Sequence, residues 1–118
     1  MQKNGLFKLV KKLGEEGLPI MGTCAGLIML SKEIMGATQE QKFLGLLDVK
    51  VNRNAYGRQV DSFEAPLKLA FSSEPFIGIF IRAPRIIELL SNKVKPIAWL
   101  RDRTVGVEQE NLIGLEFH

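Results

Sequence analysis

The sequence predicts an α/β chain, and three observations carry that reading. Apolar residues recur at helical spacing over about residues 3–14. A short apolar run, Leu18-Pro19-Ile20-Met21, then leads into a second helix-patterned run from Ala25 to Ile34. Downstream, compact apolar runs separated by short polar turns have the pattern of strands. Helices and strands mixed in this way pack as layers around one core.

In the first helix Leu6, Leu9, Val10 and Leu13 share a face, and Lys8, Lys11 and Lys12 lie on the polar side as a solvated surface. Gly14 and Gly17 end this helix and Pro19 opens the next segment. Leu18–Gly22 is then a short buried strand. Ala25–Ile34 is apolar nearly all round and is expected to be a well-covered helix; Gly36 ends it, and Thr38 to Lys42 form a polar connection. Leu46–Asn52 alternates as a half-buried strand, Tyr56-Gly57-Arg58 reads as a turn, and Val60–Glu64 as extended chain. Phe76–Arg82 is a buried strand stopped by Pro84, and Arg85–Leu90 is expected to form one or two turns of helix. Three further strands, Val94–Leu100, Thr104–Glu108 and Leu112–Phe117, are joined near Asp102 and near Glu110-Asn111 by connections short enough for antiparallel hairpins. Internal repeats and low-complexity segments are absent, so residues 1–118 read as a single domain.

Composition narrows the function classes. Sixteen basic against thirteen acidic residues leave +3, too small and scattered an excess for a nucleic-acid surface. No apolar stretch approaches the length of a membrane span. Lys3, Lys8, Lys11 and Lys12 interrupt any signal-peptide pattern at the start of the sequence. The one cysteine excludes an internal disulfide framework and fits a reducing cytoplasm. One Cys and one His are too few for a metal-ligand set, and no cofactor is expected.

The cysteine stands in Gly22-Thr23-Cys24-Ala25-Gly26, where the strand pattern meets the helix pattern. G-x-C-x-G is the thiol counterpart of the G-x-S-x-G nucleophile elbow. On such a turn the nucleophile projects above the sheet on a strained backbone, and small neighbours let other segments approach. The following helix N-terminus is expected to lower the thiol pKa. The alternative is a buried Cys that packs as a small hydrophobe. The one histidine, His118, closes the last apolar run. A Cys and a His at strand ends suit a Cys–His hydrolase pair, against a terminal His without a role. Arg53 and Arg82 each follow an apolar strand, where a charge often marks only the return to solvent; Trp99 and Tyr56 read as packing residues.

Five segments carry a resemblance: Gly22-Thr23-Cys24-Ala25-Gly26-Leu27, Leu44 to Val49, the run Asn52-Arg53-Asn54-Ala55-Tyr56-Gly57-Arg58-Gln59-Val60-Asp61-Ser62-Phe63-Glu64, then Phe80-Ile81-Arg82-Ala83-Pro84, and Phe117-His118. In these, from about Gly5 to His118, the chain resembles class I, triad-type glutamine amidotransferases, and within them the glutaminase subunits of pyridoxal 5′-phosphate synthase. The Arg53–Glu64 run is the most specific part.

The resemblance implies a flavodoxin-like three-layer α/β sheet with a C-terminal antiparallel hairpin region. It implies Cys24 as nucleophile and His118 as acid–base, with the Ala25 N–H in the oxyanion hole. Arg53, Ile81 and Arg82 would contact L-glutamine, and a guanidinium fork suits its carboxylate. Arg58, Gln59, Asp61 and Glu64 would hold the loop or dock the partner. That partner would be a (β/α)₈-barrel synthase subunit in a large hetero-oligomer. Family members also carry a Gly-Gly-Glu-Ser loop ahead of the matched region and Pro-Glu after the histidine. The chain is therefore expected to be an internal part of such a protein, incomplete at both ends. Taken alone, it is expected to leave a sheet edge open and to self-associate or dissolve poorly. Two other readings stay open: a truncated subunit, weak or inactive in catalysis, that only binds the synthase, and another Cys-nucleophile hydrolase of the same fold.

Overall fold

The structure, a computed structural model, describes residues 3–36, 44–53, 62–81 and 84–118, with side chains from Lys8 onward. The connection expected over Thr38 to Lys42, the turn at Tyr56-Gly57-Arg58, the residues Gln59, Val60 and Asp61, and Arg82 lie outside the described residues. The described residues form two helices and nine strands: α1 (Lys3–Glu15), β1 (Ile20–Thr23), α2 (Ala25–Leu30), β2 (Ser31–Met35), β3 (Leu47–Asn52), β4 (Ser62–Leu69), β5 (Ser72–Ile81), β6 (Arg85–Leu89), β7 (Lys95–Leu100), β8 (Arg103–Gln109) and β9 (Leu112–Leu115). The mixed α/β expectation holds, with strands predominant.

The strands make two sheets. One has the order β1-β9-β8-β7-β4-β5 and the other β2-β3-β6. In the larger sheet only β1 and β9 run parallel, with Ile20 opposite Leu112 and Thr23 opposite Leu115. The remaining neighbours are antiparallel. The two C-terminal hairpins turn on pairs of residues, and Arg101 (φ 56) and Glu110 (φ 54) take the left-handed backbone that such tight turns demand.

Local chemistry explains the ends of α1. Gly17 sits at φ 99, Leu18 N–H donates to Leu13 O at 3.0 Å, and Gly17 N–H donates to Gly14 O at 3.2 Å. That pair of bonds is the Schellman closure. Asn111, in the β8–β9 turn, adds side-chain bonds to Gly14 O (3.0 Å) and Leu18 O (2.6 Å). The helix end is thereby fastened to the sheet. Gly14 lies so close to Leu46 and Ile20 that a Cβ would come within 2.7 and 3.0 Å of their side chains.

Two expected helices are shorter or absent. The second helix stops at Leu30, because Ser31 turns to extended backbone (φ −67, ψ 150) and its hydroxyl donates back to Leu27 O. Ser31–Met35 instead pairs parallel with β3. Arg85–Leu89 is a strand, not a helix, paired antiparallel with β3. The β-branched pair Ile86-Ile87 suits that choice, since such side chains are stiff in a helix and pack well on a pleat. The hairpin strands fall where the sequence placed them. β4 extends well past the expected Val60–Glu64, to Leu69.

The core has two parts. One gathers Leu27, Ile28, Leu30, Leu47, Val49, Val51, Ile86, Val107 and Leu112 between the sheets and α2. The other gathers Cys24, Ala65, Leu67, Phe80, Ala98, Val105 and Phe117. β8 buries Val105, Gly106 and Val107 in succession, as a strand covered on both faces does. Gln109 joins the sheets: its amide oxygen accepts from Asp48 N–H at 2.8 Å, and its NH₂ donates to Leu46 O at 3.2 Å.

Asp48 ties β3 to its neighbours within the smaller sheet. Its carboxylate meets Lys32 Nζ at 2.8 Å and accepts from the Ser91 hydroxyl at 2.8 Å. The Lys32 bond chiefly holds its carboxyl below the ordinary carboxylate value, with Ser91 helping. A group whose folded pKa is lowered contributes stability above its unfolded pKa and loses it as pH falls through the folded one. Asp48→Ala is therefore expected to cost about 1–3 kcal/mol at pH 7. In urea unfolding followed against pH, that difference should shrink below about pH 4. A penalty that stays constant on acidification would refute the charged contribution.

Candidate active site

Cys24 occupies the turn between β1 and α2, at φ 52 and ψ −108. This is the strained strand-to-helix geometry expected of the elbow. The glycine before it explains why the turn can close: a Cβ on Gly22 would come within 2.5 Å of the Gly26 carbonyl oxygen and 2.7 Å of Leu30 Cδ1. A Cβ on Gly26 would meet nothing within 4 Å. The two flanking glycines therefore differ, and only Gly22 is demanded by close approach.

The β1–β9 register then carries other residues to the thiol. Cys24 N–H donates to Leu115 O at 2.9 Å, continuing the parallel ladder beyond Thr23. The Cys24 thiol donates to Glu116 O at 3.2 Å. Ile81 contributes a backbone hydrogen bond to the sulfur. His118 is tied by both backbone groups to β5: its N–H donates to Ile79 O at 2.8 Å, and its carbonyl accepts from Ile79 N–H at 3.2 Å. Phe117 anchors this tail among aromatic rings, 5.8 Å from Phe80 and 6.0 Å from Phe76 between centroids. Phe80 in turn stacks on Phe63 at 4.7 Å.

The structure thus brings Cys24, Ile81 and the His118 tail to one end of the larger sheet. Ala25 is the first residue of α2, directly after Cys24 in the chain. Arg53 follows β3 in the smaller sheet and is exposed; its N–H donates to Met35 O. The preceding Asn52 pairs with Arg85, the residue next to Ile86. Arg82 lies outside the described residues.

One expectation is corrected. Cys24 is buried, and burial pushes its thiol pKa up, with the Glu116 charge adding to that; the Ile81 backbone bond opposes the rise without cancelling it. The dipole of a helix of one or two turns does not offset desolvation here. The resting thiol therefore holds its proton until a base removes it.

Glu116 was not singled out by the sequence reading, and it is the most heavily engaged residue near the thiol. It is fully buried. Its Oε2 accepts from Ile86 N–H at 2.8 Å, and both carboxylate oxygens lie 2.8 Å from Arg103 Nη1. Burial raises its pKa despite these donors. The signal was present: an acid inside the apolar run Leu112–Phe117 has to be paired if that strand is buried. Among the described residues no group of His, Cys, Asp and Glu gathers as a metal site. No helix among them is long and apolar enough to cross a membrane.

The SNO glutamine amidotransferase family matches residues 1–118. The chain belongs to this family. A protein of Thermococcus gammatolerans named pyridoxal 5′-phosphate synthase subunit PdxT is 85% identical over 118 residues, covering 100% of this chain and 60% of the relative. A protein of the same name from Pyrococcus horikoshii is 79% identical with the same coverage. A crystal structure of a glutamine amidotransferase superposes with a TM-score of 0.86 at 45% identity, covering 97% of this chain and 59% of that one. The chain spans about 60% of the length of the curated relatives it matches. Within this glutamine amidotransferase family fold, the described strands and α2 form the part that presents Cys24.

The elbow makes a sharp comparison. Gly22→Ala is expected to destabilise the protein by about 2–4 kcal/mol, because the new methyl meets backbone that cannot move aside. Gly26→Ala should fold with stability within about 1 kcal/mol of the parent. Thermal unfolding of the two variants side by side checks this, and equal losses would refute the close-approach argument.

Proposed function

We propose that this chain belongs to the glutaminase subunit of pyridoxal 5′-phosphate synthase, and that Cys24 and His118 carry the hydrolysis of L-glutamine to L-glutamate and ammonia. The observation that carries the reading is the strained backbone of Cys24 at the elbow, with the His118 tail held beside the same sheet end. Membership of a glutamine amidotransferase family supports it.

The steps follow from these positions. His118 takes the thiol proton, and the sulfur attacks the side-chain amide carbon of glutamine. The carbonyl oxygen becomes an oxyanion that accepts from the Ala25 N–H; one such donor supplies about 3 kcal/mol. Protonated His118 returns its proton to the departing nitrogen, which leaves as ammonia. Water, deprotonated by His118, then cleaves the γ-glutamyl thioester and restores the thiol. A thiol whose pKa is raised by burial needs such a base. In this reading Arg53, Ile81 and Arg82 are the residues that contact glutamine, and a guanidinium fork suits its α-carboxylate. In this reading the ammonia passes to a (β/α)₈-barrel synthase subunit within a large hetero-oligomer in the cytoplasm.

The test uses the full-length protein assembled with its synthase partner. Cys24→Ala should lower glutamine-dependent glutamate release by about 10⁴-fold or more. Added ammonium salt should restore pyridoxal 5′-phosphate formation by the same assembly. Glutamate release by Cys24→Ala within tenfold of the parent would overturn the assignment.

A further inference from the structure

We propose that Glu116 is a positioning residue of this site, whose buried carboxylate locks the strand tail bearing His118 to the start of β6 and so sets where glutamine binds relative to Cys24. This rests on the glutaminase reading above.

The placement of Glu116 is costly on stability grounds alone. A carboxylate removed from water loses its solvation, and a buried ion pair is commonly no more stable than an apolar pair of the same volume. Yet Glu116 stands in an otherwise apolar run with no solvent exposure. Its bonds explain what the charge does there. The polar groups of the residue reach β8, the elbow and β6. The N–H donates to Val105 O on β8 at 2.9 Å. The carbonyl accepts the Cys24 thiol at 3.2 Å. The carboxylate accepts from Ile86 N–H, at the head of β6, and from Arg103, at the head of β8. Ile86 follows Ile81 closely in the chain, and Ile81 makes its own backbone bond to the Cys24 sulfur. Phe117 and His118 come directly after Glu116.

The consequence is geometric. If the carboxylate lets go, the head of β6 loses its tie to the β9 tail and is free to shift against the strand that carries His118. An error of about 1 Å in such a site costs on the order of 10²-fold in rate. Arg103 is the counter-ion that makes the burial tolerable, and Ile86 N–H gives the carboxylate its direction. A neutral amide at position 116 keeps the volume and one acceptor but loses the charge-assisted hold on Arg103.

Glu116→Gln should therefore remain folded and show a glutaminase kcat/KM about 10–100-fold below the parent, with KM for glutamine raised. The measurement is steady-state glutamate release by the full-length protein in its complex with the synthase, well below the unfolding temperature, with thermal unfolding recorded alongside. A lower unfolding temperature with kcat and KM at parent values would mean a purely structural role and overturn the proposal. If Glu116→Gln does not fold, the paired variant Glu116→Leu with Arg103→Leu carries the same comparison. That apolar pair should fold but stay impaired in KM, and parent-like kcat/KM from it would equally refute the idea. The parent and Cys24→Ala serve as references. A parent that releases no glutamate refutes the glutaminase reading itself, whereas an active parent matched by Glu116→Gln refutes only the positioning role.

Discussion

The short parallel ladder between Ile20–Thr23 and Leu112–Leu115 places the Cys24 elbow beside the strand tail that ends in His118. Cys24 and His118 stand far apart in sequence, and no local structure joins them. The elbow and the strand tail that ends in His118 leave the sheet together because Thr23 is opposite Leu115. A slip of one residue would reverse every side chain of β9 with respect to the core. The register is fixed on both sides. Gly114 admits Leu27 and Leu47 to within 2.7 Å of the position a Cβ would take, so α2 and β3 lie directly on β9. On the other flank, Asn111 binds the end of α1 and accepts from Ile20 N–H through its carbonyl.

From that ladder the remaining features follow in order. The Cys24 N–H is used up by Leu115 O, which turns the chain sharply into α2 and leaves the residue at positive φ. Strain of about 1–3 kcal/mol persists only where packing holds it. Here the packing is the second core cluster, in which Cys24, Phe80 and Phe117 are all buried. The same burial that holds the elbow raises the thiol pKa, so geometry and reactivity pull in opposite directions. A helix dipole would ease that conflict in a long, exposed helix. In α2, with Leu27, Ile28 and Leu30 buried, desolvation wins.

How much of this was legible in the sequence depends on the range of the interaction. Local signals were readable: the glycine closure of α1, the two tight hairpins and the G-x-C-x-G elbow each depend on a few adjacent residues. Signals that needed a distant partner were not. Arg85–Leu89 resembles a helix until β3 offers it a ladder, and Ser31–Met35 resembles the continuation of α2 until the same strand pairs with it. Glu116 shows the limit most plainly. Its position in an apolar run was visible, but its partners Ile86 and Arg103 come from two other strands, and only the fold joins them. The residues named for the site divide in the same way. Cys24, Ile81 and the His118 tail converge through backbone bonds, while Arg53 is related to them through its neighbour Asn52 and the β3–β6 pairing.

The hydrogen bond of the thiol carries one further consequence under the proposed function. A carbonyl oxygen can accept the Cys24 proton in a hydrogen bond but is far too weak a base to remove it. The bond to Glu116 O therefore holds the sulfur in its protonated, poorly nucleophilic form. Attack requires the thiol to turn from that carbonyl toward the imidazole of His118, and the Ile81 backbone bond that favours the thiolate then gains importance. The residue that supplies the resting acceptor, Glu116, belongs to the same short tail as His118, the base of the proposed reaction. Resting order and catalytic order thus share one scaffold.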